Sequence, residues 1–89
     1  MYINDLDEKE GYKRQLLAEI RKTIDPVSPL VEEQVVIIVT RNIEECERLL
    51  QEYCEFFGGG MLGELSNNTI SLIFSDNDEA MAFCELLAN

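Results

Sequence analysis

The clearest pattern of apolar and polar positions lies in the last quarter of the chain. In Thr69–Phe74 an apolar side chain occupies every second position, which predicts a β-strand with one heavier face. The short polar residues 75–78 come next and can cap a helix. From Glu79 onward, apolar residues recur every three or four positions, which predicts a helix with one buried face formed by Ala80, Phe83, Cys84 and Leu87.

A second strand and helix come earlier. Val35–Val39 is an unbroken run of β-branched residues, and strands of this kind usually have both faces covered. Asn42 is a suitable N-cap for a helix over Ile43–Phe57, which the glycines from Gly58 onward would end. The predicted buried face of this helix consists of Ile43, Cys46, Leu49, Leu50, Tyr53, Cys54 and Phe57.

Two further elements complete the pattern. Residues 7–24 predict an amphipathic helix with an apolar stripe of Tyr12, Leu16, Leu17, Ile20 and Ile24. Residues 61–65 predict a strand, joined to Thr69–Phe74 by a hairpin turn at residues 66–68.

The order is therefore helix, then strand, helix, strand, strand, helix. Since a strand–helix–strand crossover is right-handed, both later helices are expected on one face of a three-stranded antiparallel sheet. This is the α+β, ferredoxin-like βαββα plan with an added N-terminal helix. We divide the chain into an N-terminal helix and Pro-containing linker, residues 1–28, and a domain over residues 29–89.

The charge of the chain narrows its partners. Acidic residues outnumber basic ones by 18 to 7, a formal net charge of −11. Such a surface repels phosphate backbones and anionic lipid, so we expect no direct binding of nucleic acid or membrane. Simple solubility and a basic protein partner account for the charge equally well.

Neither a membrane span nor a secretory signal is visible, because the chain has no run of 18 apolar residues and begins with polar, acidic residues. The odd number of cysteines, Cys46, Cys54 and Cys84, favours reduced thiols and an intracellular location, cytoplasmic or nuclear.

Catalytic chemistry finds no support in the residue inventory. Histidine is absent, no Cys-x-x-Cys pair occurs, and the five glutamates of the helix Ile43–Phe57 mostly spread over its outer face. Residues 76–79 serve as turn and cap and lack the spacing of a calcium loop. We predict a non-catalytic protein without cofactor or metal.

Residues 35–89 resemble an RNA-recognition motif. Phe57-Gly58 is similar to the Phe-Gly that ends the first helix of that family, and residues 74–80, FSDNDEA, are similar to its F-x-[DS]-x-[DE]-[DE]-A signature. The resemblance implies a βαββα-β fold and, in the family, RNA bound by aromatic side chains on the two central strands.

The residues that would bind RNA are missing. Asn67, Thr69 and Ser71 stand where the family has a basic residue and two aromatics, and Val35–Val39 contains no aromatic residue. Each stacking contact contributes about 1–3 kcal/mol per base, so their loss removes most of the expected affinity. We therefore interpret the chain as a degenerate member of this fold.

The fourth strand of the family, which pairs beside the first, is also missing after the last helix. Without it, Val35–Val39 would be an open apolar edge that invites strand pairing. The N-terminal segment around residues 2–6, a second copy of the chain or a strand of a partner could cover it.

The stripe of the N-terminal helix also needs a surface. We expect it to dock on the helix-free face of the sheet, where five of the seven basic residues of the chain, all within residues 1–28, would meet a domain of net charge −10. Whether it packs there as a core element of its own chain or crosses to another chain stays open.

Two functions remain. The first is a protein–protein assembly module that homodimerises, with an interface formed by Val35, Ile37 and Val39 on the strand and Leu16, Leu17 and Ile20 on the helix. The second is an acidic inhibitor or nucleic-acid mimic, whose Glu44, Glu45 and Glu52 would occupy a basic groove of a nucleic-acid-handling protein.

Overall fold

The protein is an α+β fold of three helices and a four-stranded antiparallel sheet. The structure is a computed structural model and describes residues 5–25 and 29–88. In chain order its elements are α1 Asp5–Thr23, β1 Leu30–Glu32, β2 Val35–Val39, α2 Ile43–Phe57, β3 Gly60–Ser66, β4 Thr69–Phe74 and α3 Asn77–Ala88. No helix within the described ranges has both the length and the apolarity needed to cross a membrane.

Helix α2 has the predicted bounds and caps. Asn42 lies in extended backbone, and its side-chain oxygen accepts a hydrogen bond of 3.2 Å from the Glu45 N–H. Gly58 adopts a positive φ of 73° and donates its N–H to the Cys54 carbonyl at 2.8 Å, a conformation that favours glycine. These two local signals explain why the sequence alone defined this helix.

The β3–β4–α3 unit also follows the sequence. A two-residue turn at Asn67 and Asn68 joins the strands, and Asn67 takes a φ of 51°, which asparagine tolerates better than most residues. Asp76 caps α3 by accepting a 2.9 Å hydrogen bond from the Glu79 N–H.

The sheet corrects one expectation, because β2 is not an open edge. The strand order is β1-β2-β4-β3, and β1 pairs antiparallel with β2 in the register Leu30↔Ile37 and Glu32↔Val35. On the N-terminal side of β1, the Asp25 N–H donates to the Val39 carbonyl at 2.8 Å, and Ile24 forms a β-bridge with Thr40. Residues 2–4, part of the segment expected to cover this edge, lie outside the described residues.

The turn between β1 and β2 is formed by Glu33 and Gln34. Glu33 has a φ of 57°, and its carbonyl accepts a hydrogen bond from the Asn77 side chain at the start of α3. Gln34 accepts from the Phe74 N–H at 2.8 Å and donates its side-chain amide back to the Phe74 carbonyl at 3.0 Å. The first of these bonds ties the β1–β2 hairpin to the start of α3, and the other two tie it to the end of β4.

All three helices lie on the same side of the sheet, which corrects the expected docking of the N-terminal helix. Helices α2 and α3 pack on the strands, and α1 packs against α2 and α3. Tyr12 meets the rings of Phe56 and Phe57 on α2, with centroids 4.9 and 5.9 Å apart. Arg21 donates two hydrogen bonds, of 3.0 and 3.3 Å, to the Leu86 carbonyl of α3. No helix among residues 5–25 and 29–88 therefore lies on the opposite face of the sheet.

A single hydrophobic core joins residues from both parts of the chain. Leu16, Leu17, Ile20 and Ile24 belong to the same buried cluster as Val36, Ile38, Leu50, Ile70, Leu72 and Phe83. The buried Thr40 fixes the junction, since its hydroxyl donates to the Thr23 carbonyl at 2.5 Å and accepts from the Asn42 N–H at 3.1 Å. Helix α1 is an integral layer of the domain.

Candidate interaction surface

The helix-free face of the sheet is built from the odd-numbered positions of β2 and β4. Val36 and Ile38 of β2 point into the core, so Val35, Ile37 and Val39 point the other way. In β4, Ile70, Leu72 and Phe74 are buried and Ile73 is exposed. Because β2 is apolar on both sides, the sheet has an apolar surface on each face.

The strand register joins these side chains into one patch. One row across the four strands runs Glu32, Val35, Ile73 and Met61, and the next row contains Leu30, Ile37 and Ser71. Leu30 is 63% exposed, Met61 67%, Ile73 39% and Val39 37%. We call the set Leu30, Val35, Ile37, Val39, Met61 and Ile73 the sheet-face patch. Glu32 is a charged side chain in the first of these rows.

The sheet-face patch contains no aromatic ring among the described residues. The described aromatic side chains contact one another on the helix side, in a chain that includes Tyr12, Tyr53, Phe56, Phe57, Phe74 and Phe83. Thr69 and Ser71, at the positions where the resemblance expects aromatics, pair with Val39 and Ile37 of β2. The described side chains of this face therefore offer aliphatic contact and no aromatic ring on which a base could stack.

The structure separates the predicted interface residues into two groups. Val35, Ile37 and Val39 belong to the sheet-face patch and are accessible in part. Leu16, Leu17 and Ile20 are buried among the helices and the sheet, and thus contribute to the core of their own chain. Leu30 and Met61 were missed by the sequence argument, because a strand pattern does not state which apolar residues remain uncovered.

The acidic residues of α2 are partly neutralised within the chain. Glu45 pairs with Arg48 at 2.8 Å, and this hydrogen-bonded contact lowers the pKa of the Glu45 carboxyl. Glu52 accepts a hydrogen bond from the Tyr12 hydroxyl and lies 3.8 Å from Arg48. Of the three predicted residues, only Glu44 is an exposed carboxylate that has no hydrogen-bond or ion-pair partner among the described residues.

The three cysteines are free, and burial raises the pKa of each thiol. Cys46 lies fully inside the core. Within the described part of the chain, no three His, Cys, Asp or Glu residues are grouped so as to hold a metal ion. Cys54 is half-buried and packs against this core, and Cys84 is half-buried outside it.

Alkaline pH should destabilise the fold through Cys46. Burial raises the pKa of the Cys46 thiol in the folded state. The stability that comes from keeping this thiol neutral is therefore fully present below the ordinary thiol pKa of 9.0, and it is lost as the pH rises through the pKa of the folded state. We expect urea unfolding to show lower stability at pH 10 than at pH 7.5. Cys46→Ala should reduce this pH dependence more than Cys84→Ala, which removes a more exposed thiol. An equal reduction in both variants would contradict the assignment.

Comparison of the chain with protein-family models, with curated proteins and with solved structures gives no match, so the sheet-face patch has to be interpreted from its own geometry.

Proposed function

We propose that the protein is a non-catalytic assembly module built on a degenerate RNA-recognition-motif-like domain. The sheet order supports this proposal, because β2, β4 and β3 follow the order expected for the first three strands of that plan. Strand β1 then occupies the position beside β2 that the fourth strand fills in the family. In this view, the surface that binds RNA in the family has become an aliphatic docking face.

We infer that the occupant of the sheet-face patch is a second copy of the same chain. A flat face of aliphatic side chains is complementary to itself, and two such sheets stack about 10 Å apart with their side chains interdigitated. The single observation that carries the proposal is the exposure of Leu30, Met61, Ile73 and Val39 in one continuous patch.

The charge of −11 per chain is compatible with this geometry. Face-to-face packing leaves the helices on the two outer sides, so the carboxylates of α2 and α3 in one copy face away from those of the other. Sheet stacking alone separates the layers by about 10 Å, already more than the Debye length of about 8 Å at physiological ionic strength. Glu32, at the rim of the patch, lies near the contact.

The area sets the expected strength of the dimer. The four strands lie about 4.8 Å apart and average about five residues of about 3.3 Å each, so they cover roughly 300 Å² of sheet. A stable complex buries about 800 Å² of accessible surface per partner. We therefore expect a reversible dimer whose population rises with concentration.

Light scattering behind a sizing column tests the proposal across a hundredfold range of loading concentration. The mass should rise from 10.2 kDa toward twice that value. Ile73→Lys should weaken dimerisation by tenfold or more, because the dimer would bury two ammonium groups. Met81→Lys changes the net charge equally at an exposed position of α3, and we expect it to leave dimerisation within twofold of the unmodified protein.

The two variants make the outcome specific. Both substitutions lower the magnitude of the net charge, so general repulsion between copies decreases in each. Weaker dimerisation of Ile73→Lys alone would therefore report contact at the sheet-face patch. A mass of 10.2 kDa at every concentration would contradict homodimerisation. The acidic inhibitor or nucleic-acid mimic would then be the favoured function. Binding of the protein to a basic groove of its target should in that case weaken steeply as the salt concentration rises.

A further inference from the structure

Of the two edge strands of the sheet, β1 and β3, the longer is β3. It pairs with β4 on one side, and among the described elements its other contacts are with α2. No described residue is hydrogen-bonded to the outer side of Gly60–Ser66. This edge differs from the one expected from the sequence and lies away from the centre of the sheet-face patch.

The register identifies which backbone groups point outward. Phe74 bonds Gln34 through its N–H and its carbonyl, so both groups face the β2 side and away from β3. In an antiparallel ladder bonded and non-bonded pairs alternate. Gly60, opposite Phe74, is therefore in a non-bonded pair, Met61 bonds Ile73, and Leu62 is again non-bonded. The N–H and C=O groups of Gly60 and Leu62 face outward.

A groove runs between this edge and helix α2. It has a volume of about 340 Å³ and is lined by Gln51, Cys54 and Glu55 from one face of the helix and by Gly60, Met61 and Leu62 from the strand. Half-buried Cys54 and Leu62 form an apolar floor, and Gln51 and Glu55 form a polar rim. Such a groove can receive one apolar side chain of a strand added beside β3.

The rim selects for positive charge. Glu55 lies on the helix side of the groove, and Glu64 is exposed further along β3. Arg48, the one basic residue of α2, is held by Glu45 and Glu52. A cationic ligand would thus find acceptors at this edge without a competing basic side chain of α2.

We propose that the β3–α2 groove binds an extended, basic segment of another protein by strand addition. The segment would hydrogen-bond to Gly60 and Leu62, insert one apolar side chain between Cys54 and Leu62, and present flanking lysines or arginines to Glu55. The register of β3 shifts between Leu62 and Leu65, and this bulge ends regular pairing, so the added strand is short.

The test uses a capped pentapeptide with Val-Leu-Val between two lysines, titrated into ¹⁵N-labelled full-length protein. The amide signals of Gly60 and Leu62 should shift in a saturable manner. Glu55→Lys should weaken binding about threefold to tenfold, because it replaces an attractive charge by a repulsive one. Glu44→Lys makes the same change at the other end of α2, away from the groove, and should alter the affinity by less than twofold.

Two methylated peptides test strand addition itself. One carries N-methyl groups on both valines and the other on the leucine, so each blocks the N–H groups of one edge of the extended peptide. Strand addition predicts that one of the two loses binding and the other retains it. Equal behaviour of the two peptides, or no shift at Gly60 and Leu62, would overturn the proposal.

The sheet-face proposal and the groove proposal fail separately. Ile73→Lys should weaken dimerisation by tenfold or more while peptide affinity stays within twofold of that of the unmodified protein. Peptide-induced shifts confined to Val35, Ile37 and Ile73 would place the peptide on the sheet-face patch and overturn the groove proposal.

Discussion

Deletion of residues 1–28 is expected to abolish the folded state of the remaining chain. The deleted part supplies the buried side chains of Leu16, Leu17, Ile20 and Ile24. Burial of each contributes about 1.5–3 kcal/mol, or about 6–12 kcal/mol together. That sum is comparable to the whole stability of a small domain, about 5–15 kcal/mol. Far-UV circular dichroism and the dispersion of amide proton signals would measure the loss.

A pair of point variants controls this deletion. Ile20→Ala should destabilise the full chain by about 2–5 kcal/mol, because Ile20 is fully buried between α1 and the rest of the core. Arg14→Ala, at an exposed position of the same helix, should change the free energy of unfolding by less than about 0.5 kcal/mol. A cooperative, monomeric melt of fragment 29–89 would contradict the assignment of α1 to the core.

Phe83→Ala is the point substitution with the largest expected cost. The Phe83 ring is buried and lies 5.2 Å from the ring of Tyr53 on α2 and 5.3 Å from that of Phe74 on β4. Its removal leaves a cavity where three elements meet, with an expected loss of about 3–5 kcal/mol. Urea unfolding of the full-length protein measures this value.

The matched variant is Phe56→Ala. Phe56 is about half exposed, and its ring packs edge-on against Tyr12 at 4.9 Å. Loss of an aromatic pair of this kind is worth about 0.5–1.5 kcal/mol. Equal destabilisation by the two substitutions would show that the aromatic contacts, and not the buried volume, set the cost.

Elements with strong local signals were predictable from the sequence. Helix α2 has a side-chain cap at Asn42 and a glycine end at Gly58, so both bounds were correct. The hairpin at Asn67 and the cap at Asp76 are equally local. The α+β class and the common side of α2 and α3 followed from these elements and are confirmed.

The missed strand β1 shows the limit of such signals. It has three residues, and its turn places Glu33 at a positive φ without the glycine or asparagine that normally marks this conformation. The Asn77 side chain holds the Glu33 carbonyl from a distance of 44 residues. No local pattern could state that contact, and without β1 the edge of β2 was wrongly expected to be open.

The prediction of the side of the sheet on which α1 docks was wrong for a related reason. The stripe containing Leu16, Leu17 and Ile20 predicts that α1 is buried, but an apolar stripe fits an apolar sheet and an apolar helix pair equally well. Contacts made by Tyr12 to α2 and by Arg21 to α3 decide between them, and both partners are distant in sequence. The part of the site on Val35, Ile37 and Val39 was predictable because β2 is apolar on both faces.

The position of β1 immediately before β2 in the sequence also affects how the chain folds during synthesis. Each β1 residue pairs with a β2 residue at most seven positions away, as in Leu30↔Ile37. A hairpin with so little sequence separation forms early and quickly, because little loop entropy opposes it. During synthesis from the N-terminus, one hydrogen-bonding edge of the apolar strand β2 is thus paired with residues that leave the ribosome immediately before it. The other edge of β2 is paired once β4 has been synthesised.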